Sequence, residues 1–329
     1  MIKLLTVLLF LSSCVLGNSN PIFFTTSVKG DADECAFWVN VKDPSKSLLI
    51  GNDKKENGAL YMWDLKGDFV YKTPVINRPV GVDVRYQIKL GNELIDVAIC
   101  AVRSSNELKV FKIDPEKRTL IDITTEKKIP SYQIDETYGV SLYKRKSDGK
   151  LFVFTSSKKK ENIHQILLTD NNGKIEGTLM RSFGKEDQKS FVEGMCVDDE
   201  LGYFYCSDER AAILKYYADP DMKDDHLLLR FAVNDGIKGD REGLALYKKD
   251  DLTGFIILSS QGNSSFKIYQ RENGNSFVKT CYPKGVRHTD GLDAVNIKVS
   301  PDFPEGIIAC HNSSGKNFAI YSWKTFFEN

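Results

Sequence analysis

The stretches Val192-Glu193-Gly194-Met195, Arg241-Glu242-Gly243-Leu244 and Thr289-Asp290-Gly291-Leu292 share one pattern, in which an acid is followed by glycine and then by an apolar run. The acids lie 49 and 48 residues apart. A period of this length, carried by segments that alternate apolar and polar residues, is typical of a repeat built from small sheets, most simply a β-propeller. Equivalent positions in the blades of a propeller face one axis, so we expect these carboxylates to meet in space.

The remaining sequence supports the same architecture. Runs of five to eight residues rich in Val, Ile, Phe, Tyr and Leu alternate with Gly, Asn, Asp and Lys, and helical periodicity is almost absent. Grouped in fours, the runs give five blades and three strands of a sixth. The segment Ile22-Phe23-Phe24-Thr25-Thr26 has the composition of the missing strand and would remove the open sheet edge. We therefore predict an all-β fold, a six-bladed β-propeller of four-stranded antiparallel blades closed by an N-terminal strand, as one domain over residues 20–329.

Two rings of equivalent positions are expected at one mouth of this propeller. The first strand of each group lies nearest the axis, and its beginning carries Asp33, Tyr138, Glu193, Glu242 or Asp290. The end of each second strand carries Lys54, Arg103, Lys158 or Glu209. Carboxylates gathered in this way need a cation, and their hard oxygens suit Ca²⁺, whereas Lys and Arg suit phosphate. The mouth is thus predicted to bind a metal-bridged phosphate ester.

The first 17 residues read as a secretory signal. Lys3 precedes an apolar run over residues 4–11 that is short for a membrane span, and small residues follow. Two processing routes are open: Leu11-Ser12-Ser13-Cys14 resembles a bacterial lipobox that would lipidate Cys14, and ordinary cleavage after Gly17 is the alternative. Either route predicts a secreted or extracytoplasmic protein.

Charge and cysteine usage exclude some other classes. The formal net charge is +0, so no general positive field favours nucleic acid, and a monomer is expected. The six cysteines after Cys14 contain no CxxC pair, and we favour buried free thiols, although Cys196 and Cys206 lie close enough in sequence for a hairpin bridge. The acidic run Asp198-Asp199-Glu200 is assigned to a surface turn. The isolated His288 and His311 are given no role in the site.

Motifs along nearly the whole chain, from about Gly30 to Trp323, resemble the β-propeller phytases. These are six-bladed, calcium-dependent enzymes that remove phosphates from myo-inositol hexakisphosphate (phytate). Besides the three acid-glycine stretches, the motifs are Asp31-Ala32-Asp33-Glu34-Cys35-Ala36-Phe37-Trp38-Val39, Ile50-Gly51-Asn52-Asp53-Lys54-Lys55, Val82-Asp83-Val84-Arg85-Tyr86, Glu136-Thr137-Tyr138-Gly139, Asp198-Asp199-Glu200-Leu201-Gly202 and Ser259-Ser260-Gln261-Gly262-Asn263-Ser264-Ser265.

The resemblance implies a role for each residue of the predicted mouth. Several Ca²⁺ ions would hold a water that attacks phosphorus directly, with no phosphoenzyme. Catalytic roles fall to Tyr138, Glu193 and Glu242. The implied calcium ligands are Asp33, Glu193, Glu209, Glu242 and Asp290, and the implied phosphate-binding residues are Lys54, Arg103 and Lys158.

Some positions depart from the family pattern. The family has a calcium-binding glutamate after the residue matching Lys158, where this chain has Lys159 and Lys160, with Glu161 the nearest acid. Such departures favour one alternative, a non-catalytic propeller that binds calcium and inositol phosphate. A second alternative is a calcium-dependent hydrolase of another ester, such as a lactone, but a neutral ester has no use for three converging cations.

Overall fold

The protein is a six-bladed propeller. The computed structural model describes residues 19–130 and 136–328, and these form six antiparallel sheets around a central axis. The predicted leader and Cys14 lie outside the described residues, so export and lipidation stay predictions. The predicted all-β fold and its blades are confirmed; within the described ranges, α-helix is limited to α1 (Trp323–Glu328).

Each blade runs from an innermost to an outermost strand. The N-terminal strand is β1 (Phe23–Phe24), and blade one consists of β2 (Ala32–Trp38), β3 (Leu48–Asp53), β4 (Ala59–Asp64) and β5 (Phe69–Lys72). Blade two contains β6 (Pro79–Leu90), β7 (Glu93–Val102), β8 (Glu107–Asp114), β9 (Thr119–Asp122) and β10 (Ile129–Pro130). Blade three contains β11 (Thr137–Lys144), β12 (Leu151–Ser157), β13 (Ile163–Asn171) and β14 (Lys174–Phe183). Blade four contains β15 (Val192–Asp198), β16 (Tyr203–Asp208), β17 (Ala212–Tyr217) and β18 (Leu229–Phe231). Blade five contains β19 (Arg241–Lys248), β20 (Gly254–Ser260), β21 (Ser265–Gln270) and β22 (Phe277–Cys281), and blade six contains β23 (Leu292–Val295), β24 (Ile307–Asn312) and β25 (Asn317–Ser322).

The N-terminal strand closes the ring as predicted. β1 pairs with β25 and becomes the outermost strand of blade six, with Phe23 opposite Ile320. The pairing extends beyond β1, because the Thr25 amide donates to the Phe318 carbonyl at 2.9 Å. The edge that a linear array would expose is thereby covered.

Neighbouring blades bury both faces of their strands. All six residues of β3 are buried, and in the third blade all seven residues of β12 are buried, so both strands begin with an apolar run rather than an alternation of apolar and polar residues. Aromatic rings fill the space between blades: Phe154 and Phe204, from blades three and four, stack with centroids 4.0 Å apart.

Two sequence expectations are corrected. Blade two has one strand beyond the predicted four, because the short β10 pairs with one end of β8 and β9 pairs with the other end. The acidic run beginning at Asp198 does lead into the predicted turn, but it is not exposed on the surface as expected. Asp198 is fully buried and accepts two 2.6 Å hydrogen bonds from the fully buried Arg271 guanidinium, which lies on the adjacent blade. A paired cation makes a buried carboxylate tolerable, and the sequence spacing gave no sign of this partner.

The cysteines follow the favoured expectation. Cys35, Cys100, Cys196, Cys206, Cys281 and Cys310 are buried free thiols. In the described portion of the chain, no helix has the length and apolar character needed to cross a membrane.

A channel of about 440 Å³ runs along the axis between the innermost strands. Arg85 on β6 lies in its wall and bonds to three blades: its guanidinium donates to Asp83 at 2.8 Å, to Asp199 at 2.9 Å and to the Leu142 carbonyl. Asp293 on β23 accepts the Phe37 amide of blade one at 2.7 Å. The axis is therefore held by polar contacts between blades as well as by apolar packing.

Candidate active site

The repeated glycines allow the acidic strands to approach one another. A Cβ atom on Gly194 would collide with the Glu242 carbonyl of the next blade, and one on Gly291 would lie 2.6 Å from the Asp33 carbonyl. The Gly291 amide donates to that same carbonyl at 3.0 Å. Each glycine thus removes the side chain that would push the next acid-bearing strand away, and the acids converge at one mouth.

Three glutamates form the centre of this mouth. Glu193 and Glu242 are the second residues of β15 and β19, and Glu209 follows β16; each offers a carboxylate oxygen within 4.8 Å of the other two. All three side chains are buried. Buried carboxylates this close cannot all stay ionised without a cation, so the glutamate triad has the composition and the spacing of a site for a hard divalent cation.

A second acidic group lies beside the triad and contains a lysine. The Lys54 ammonium donates to Asp33 Oδ1 at 2.6 Å and lies 3.7 Å from Asp290 Oδ2 and 4.0 Å from Asp31 Oδ2. Asp33 is fully buried and Asp290 is 7% exposed. Lys54, predicted to bind phosphate, therefore pairs with carboxylates in this structure.

Tyr138 joins the acids to the other two predicted cations. Its hydroxyl donates to Glu193 Oε2 and accepts a 2.8 Å hydrogen bond from the Lys158 ammonium. The Arg103 guanidinium lies over the Tyr138 ring, 5.4 Å from the centroid, and pairs with Glu136 at 3.4 Å. Tyr138 is buried, and its hydroxyl faces the site instead of only filling the core. All nine residues predicted for the site therefore lie at one mouth of the ring.

The structure adds three residues that the sequence analysis missed. Gln261 donates to Asp290 Oδ1 at 2.6 Å, and His311, which was given no role, is fully buried with Nδ1 accepting the Asp290 amide at 3.0 Å. Glu34 follows Asp33 and reaches the mouth end of the axial channel. Gln261 and His311 occupy the ring formed by the ends of second strands, so the repeat frame was the signal that could have found them.

The electrostatics of the mouth reflect crowded negative charge. Burial, with added repulsion from Glu193, raises the pKa of Glu209 to about 8 and raises that of Glu242 well above its usual range. Burial likewise raises the pKa of Asp33 to about 7 despite the Lys54 charge. Burial alone would raise the pKa of Asp290, but His311, whose Nδ1 also lies 3.2 Å from Asp290 Oδ2, lowers it below its usual range together with Lys54 and Gln261.

The hydrogen bonding of the carboxylate oxygens shows whether the mouth suits calcium. Buried polar atoms normally have hydrogen-bond partners, and those that lack one indicate a missing ligand. Among the described residues, several buried carboxylate oxygens at this mouth have none. They are Asp33 Oδ2, Glu34 Oε1, Glu209 Oε1 and Glu242 Oε2. Carboxylate oxygens without protein partners, gathered at one point, fit Ca²⁺.

Comparison with solved structures identifies the fold. A putative phosphatase from Bacteroides thetaiotaomicron matches with a TM-score of 0.59 and 11% identity, over 90% of this chain and 72% of that one. The α-L-arabinofuranosidase Arb93A from Fusarium graminearum matches with a TM-score of 0.61 and 11% identity, over 95% of this chain and 99% of that one. At such low identity these likenesses show the propeller alone.

The fold and the mouth together define a propeller with a ring of carboxylates beside phosphate-type cations. Two sequence comparisons make the class more specific. The phytase family model matches residues 19–326, and the 3-phytase of Bacillus subtilis (strain 168) is 32% identical over 309 residues, covering 89% of this chain and 79% of that protein. The chain belongs to the phytase family. The prediction of a phytase-family enzyme, made from the sequence motifs, is confirmed.

Proposed function

We propose that this protein is a calcium-dependent phosphomonoesterase that hydrolyses phytate to lower inositol phosphates and phosphate. The observation that carries the proposal is the glutamate triad with its unpartnered buried oxygens, lying next to Lys158 and Arg103. The name of the Bacillus subtilis relative, 3-phytase, supplies the substrate class. Glu193, Glu209, Glu242, Asp33 and Asp290 would hold the metal. Bound Ca²⁺ would lower the pKa of a water and offset the charge that develops on phosphoryl oxygens.

The chain's own residues have distinct tasks in this proposal. Lys158 and Arg103 both provide positive charge next to Tyr138 and would bind phosphoryl oxygens. The Tyr138 hydroxyl, bonded to Glu193 and Lys158, fixes the position of the carboxylate relative to the ammonium. Burial next to several carboxylates raises the pKa of Tyr138, so the hydroxyl stays protonated and donates to Glu193.

The glutamate that the family has where this chain has Lys159 is not part of the glutamate triad. Lys159 and Lys160 are exposed, and the nearest acid, Glu161, pairs with Lys185 at 2.9 Å rather than turning toward the triad. The triad itself contains no residue from this segment. The proposed metal site therefore does not need an acid there, and the non-catalytic alternative is less favoured than it is on sequence alone.

The test is phosphate release from purified protein incubated with phytate, first with millimolar Ca²⁺ and then with a chelator. We expect release that depends on calcium and stops with the chelator. A control with a neutral lactone substrate should give no hydrolysis. Absence of phosphate release, combined with calcium-dependent thermal stabilisation, would instead support the non-catalytic propeller.

The predicted export of the protein is part of the same proposal. Phytate outside the cell is the substrate that an exported phytase would meet, and the lipobox-like Cys14 would tether the enzyme to a membrane. Labelling with a radioactive fatty acid in a bacterial host, compared between the natural chain and Cys14→Ser, tests the tether. Equal labelling of both chains would contradict it.

A further inference from the structure

The carboxylates of the mouth divide into two groups with different occupants. The glutamate triad of Glu193, Glu209 and Glu242 has no lysine or arginine in an ion pair with it among the described residues. The second group, Asp33 and Asp290 with Asp31 at its rim, encloses the ammonium of Lys54. The two groups thus differ in whether a positive charge of the chain already lies between the acids.

The Lys54 contacts are not those of an ordinary surface ion pair. Its ammonium is within 4.0 Å of three carboxylates and donates to Asp33 at 2.6 Å, where the Asp33 side chain is 1% exposed. The Lys54 side chain itself is 27% exposed. A short contact to a buried carboxylate stabilises more than an exposed pair does, so these acids hold Lys54 firmly in place.

The ammonium does not satisfy the acids completely. Asp33 Oδ2 is buried and has no hydrogen-bond partner among the described residues, although Oδ1 of the same carboxylate binds Lys54. Asp290 keeps both oxygens in contact with chain atoms: Oδ1 accepts from Gln261, and Oδ2 lies 3.2 Å from His311 Nδ1 and 3.7 Å from the Lys54 ammonium. One univalent charge between two or three carboxylates leaves negative charge uncompensated, and a divalent cation would bind the same oxygens more fully.

We propose that Lys54 occupies a cation position between Asp33 and Asp290 in the metal-free protein, that Ca²⁺ must displace it there, and that the released ammonium binds substrate phosphate. This inference rests on the proposed calcium-dependent function. It gives Lys54 two alternative partners and makes it the connection between metal loading and substrate binding. The glutamate triad needs no displacement and fills first; the aspartate pair fills second and more weakly.

The exchange makes calcium and phosphate bind cooperatively. Substrate phosphate that attracts Lys54 frees the aspartates for Ca²⁺, and Ca²⁺ at the aspartates frees Lys54 for phosphate. Because coupling between two ligands is reciprocal, each must raise the affinity of the other by the same factor. Arg103, which contacts Tyr138 and Glu136 instead of the aspartates, takes no part in the exchange.

The test is calorimetric titration of chelator-treated protein with CaCl₂ alone, comparing the natural chain with Lys54→Met and Lys54→Arg. We expect two binding steps in the natural protein and a weaker step that becomes about 10- to 100-fold tighter in Lys54→Met, the range set by losing one charge-assisted hydrogen bond. Lys54→Arg keeps the positive charge and should bind calcium as the natural chain does. Lys55→Met is the matched control, because the Lys55 ammonium forms an ion pair with the rim acid Asp31, at 3.1 Å, and with neither Asp33 nor Asp290 among the described residues.

A second titration measures the coupling. With sub-millimolar inorganic phosphate as the probe, the weaker calcium step should tighten in the natural protein and stay unchanged in Lys54→Met. Arg103→Gln should weaken phosphate binding without altering the calcium titration in the absence of phosphate. If Lys54→Met does not fold, judged by circular dichroism, Lys54→Gln removes the same charge and gives the same comparison.

The outcomes separate this inference from the proposed function. A natural protein that binds no calcium would refute the calcium-dependent function, and the inference with it. A natural protein that binds calcium, with Lys54→Met no tighter in either step, would overturn the inference alone. An equal gain in affinity from Lys55→Met would also overturn it, because the effect would then be one of general charge.

Discussion

Glu193 connects the glutamate triad with the phosphate-type cations of the site. It belongs to the glutamate triad and also accepts the Tyr138 hydroxyl, which in turn binds Lys158. A neutral amide at this position keeps the size and one acceptor oxygen, but it loses the negative charge that a metal requires. Replacing Glu193 with glutamine therefore tests the role of the metal without disturbing the packing of the fold.

Glu193→Gln should lower kcat by at least about 10²-fold, because the electrostatic stabilisation of the developing charge is lost. Its melting temperature in chelator should equal or exceed that of the natural chain, since one buried repulsion is removed. Phosphate release and thermal unfolding, each with and without Ca²⁺, check both parts. Glu56→Gln, at an exposed position in the turn between β3 and β4, is the matched control and should change neither. An active Glu193→Gln would refute the mechanism.

Arg103→Ala should act differently. The guanidinium lies at the side of the mouth, over Tyr138, and it holds no triad carboxylate. We expect KM for phytate to rise about tenfold while kcat changes only a few-fold, because the lost contact is made equally in the ground state and the transition state. Steady-state kinetics at saturating calcium measure this; a large fall in kcat at unchanged KM would assign Arg103 to the chemical step instead.

Several residues of the site could be predicted from the sequence, and the reason is their place in the repeat. Glu193, Glu242 and Asp290 precede a glycine at a near-constant interval, and the glycine is required because the next strand passes where a side chain would lie. Gln261 and His311 also hold a place in the repeat, at the ends of second strands, but the contacts with Asp290 that give them a role come from another strand. The pairing of Lys54 with Asp33 also depends on side-chain direction, which a repeat interval does not give.

Among the structural elements, the innermost strands carry most of the polar contacts between blades. Arg85 on β6 donates to Asp83 in its own strand, to Leu142 in β11 and to Asp199 after β15, so that one side chain connects blades two, three and four. The side chains of Arg85 and Asp199 are 15% and 18% exposed. Such a mostly buried network contributes little net stability when intact but leaves charges unpaired when broken.

Arg85→Met should lower the free energy of unfolding by about 3–5 kcal/mol, the cost of leaving Asp83 and Asp199 without their partner. Urea unfolding followed by tryptophan fluorescence measures the difference. Arg287→Met, at an exposed position, should change it by less than about 0.5 kcal/mol. A loss below about 1 kcal/mol in Arg85→Met would mean that the contacts between these blades depend on apolar packing alone.

Asp293, on strand β23, makes the stability of the fold depend on pH. Burial raises the pKa of Asp293 to about 7, above its value in an unfolded chain, although the Phe37 amide donates to the carboxylate. The folded protein therefore binds a proton more tightly than the unfolded chain, and the stabilising contribution of that proton is complete below about pH 4. It is lost as the pH rises through about 7.

Asp293→Asn removes this titration. Relative to the natural chain, the variant should gain stability on the order of 2–3 kcal/mol between pH 5 and pH 8, whatever its stability at pH 5. Chemical unfolding of both chains across this range, in chelator, provides the measurement. Asp302→Asn, on an exposed turn, should run parallel to the natural chain at every pH. A constant difference between Asp293→Asn and the natural chain would contradict the assignment.

At the scale of the whole molecule, the N-terminal strand closes the ring by joining the first blade to the last. β1 covers β25, and Thr25 and Thr26 extend the contact: the Phe318 amide donates to Thr25 Oγ1 at 3.0 Å, and Trp63 Nε1 donates to Thr26 Oγ1 at 2.9 Å. Blade one and blade six are thus joined through the same few residues. The number of blades and this closure were predictable, because a sixth group with only three strands leaves one strand to be found elsewhere.

A chain that begins at Ser27 lacks this strand and should melt more than about 10 °C below a chain that begins at Ser19, since several buried hydrogen bonds and an edge cover are lost. Scanning calorimetry compares the two, and light scattering reports association through the exposed β25 edge. Equal melting temperatures would show that the ring is held closed without β1.

The same closure governs how the protein acquires its structure. Thr25 and Phe318 are 293 residues apart in the sequence, so this bond cannot form until the last blade has been synthesised. Contacts of such long sequence separation slow folding, and the N-terminal strand must stay unpaired and extended throughout synthesis. The interval before closure is when the chain is most exposed to aggregation, and a holding chaperone that binds the first apolar strand during this interval would raise the yield of folded enzyme.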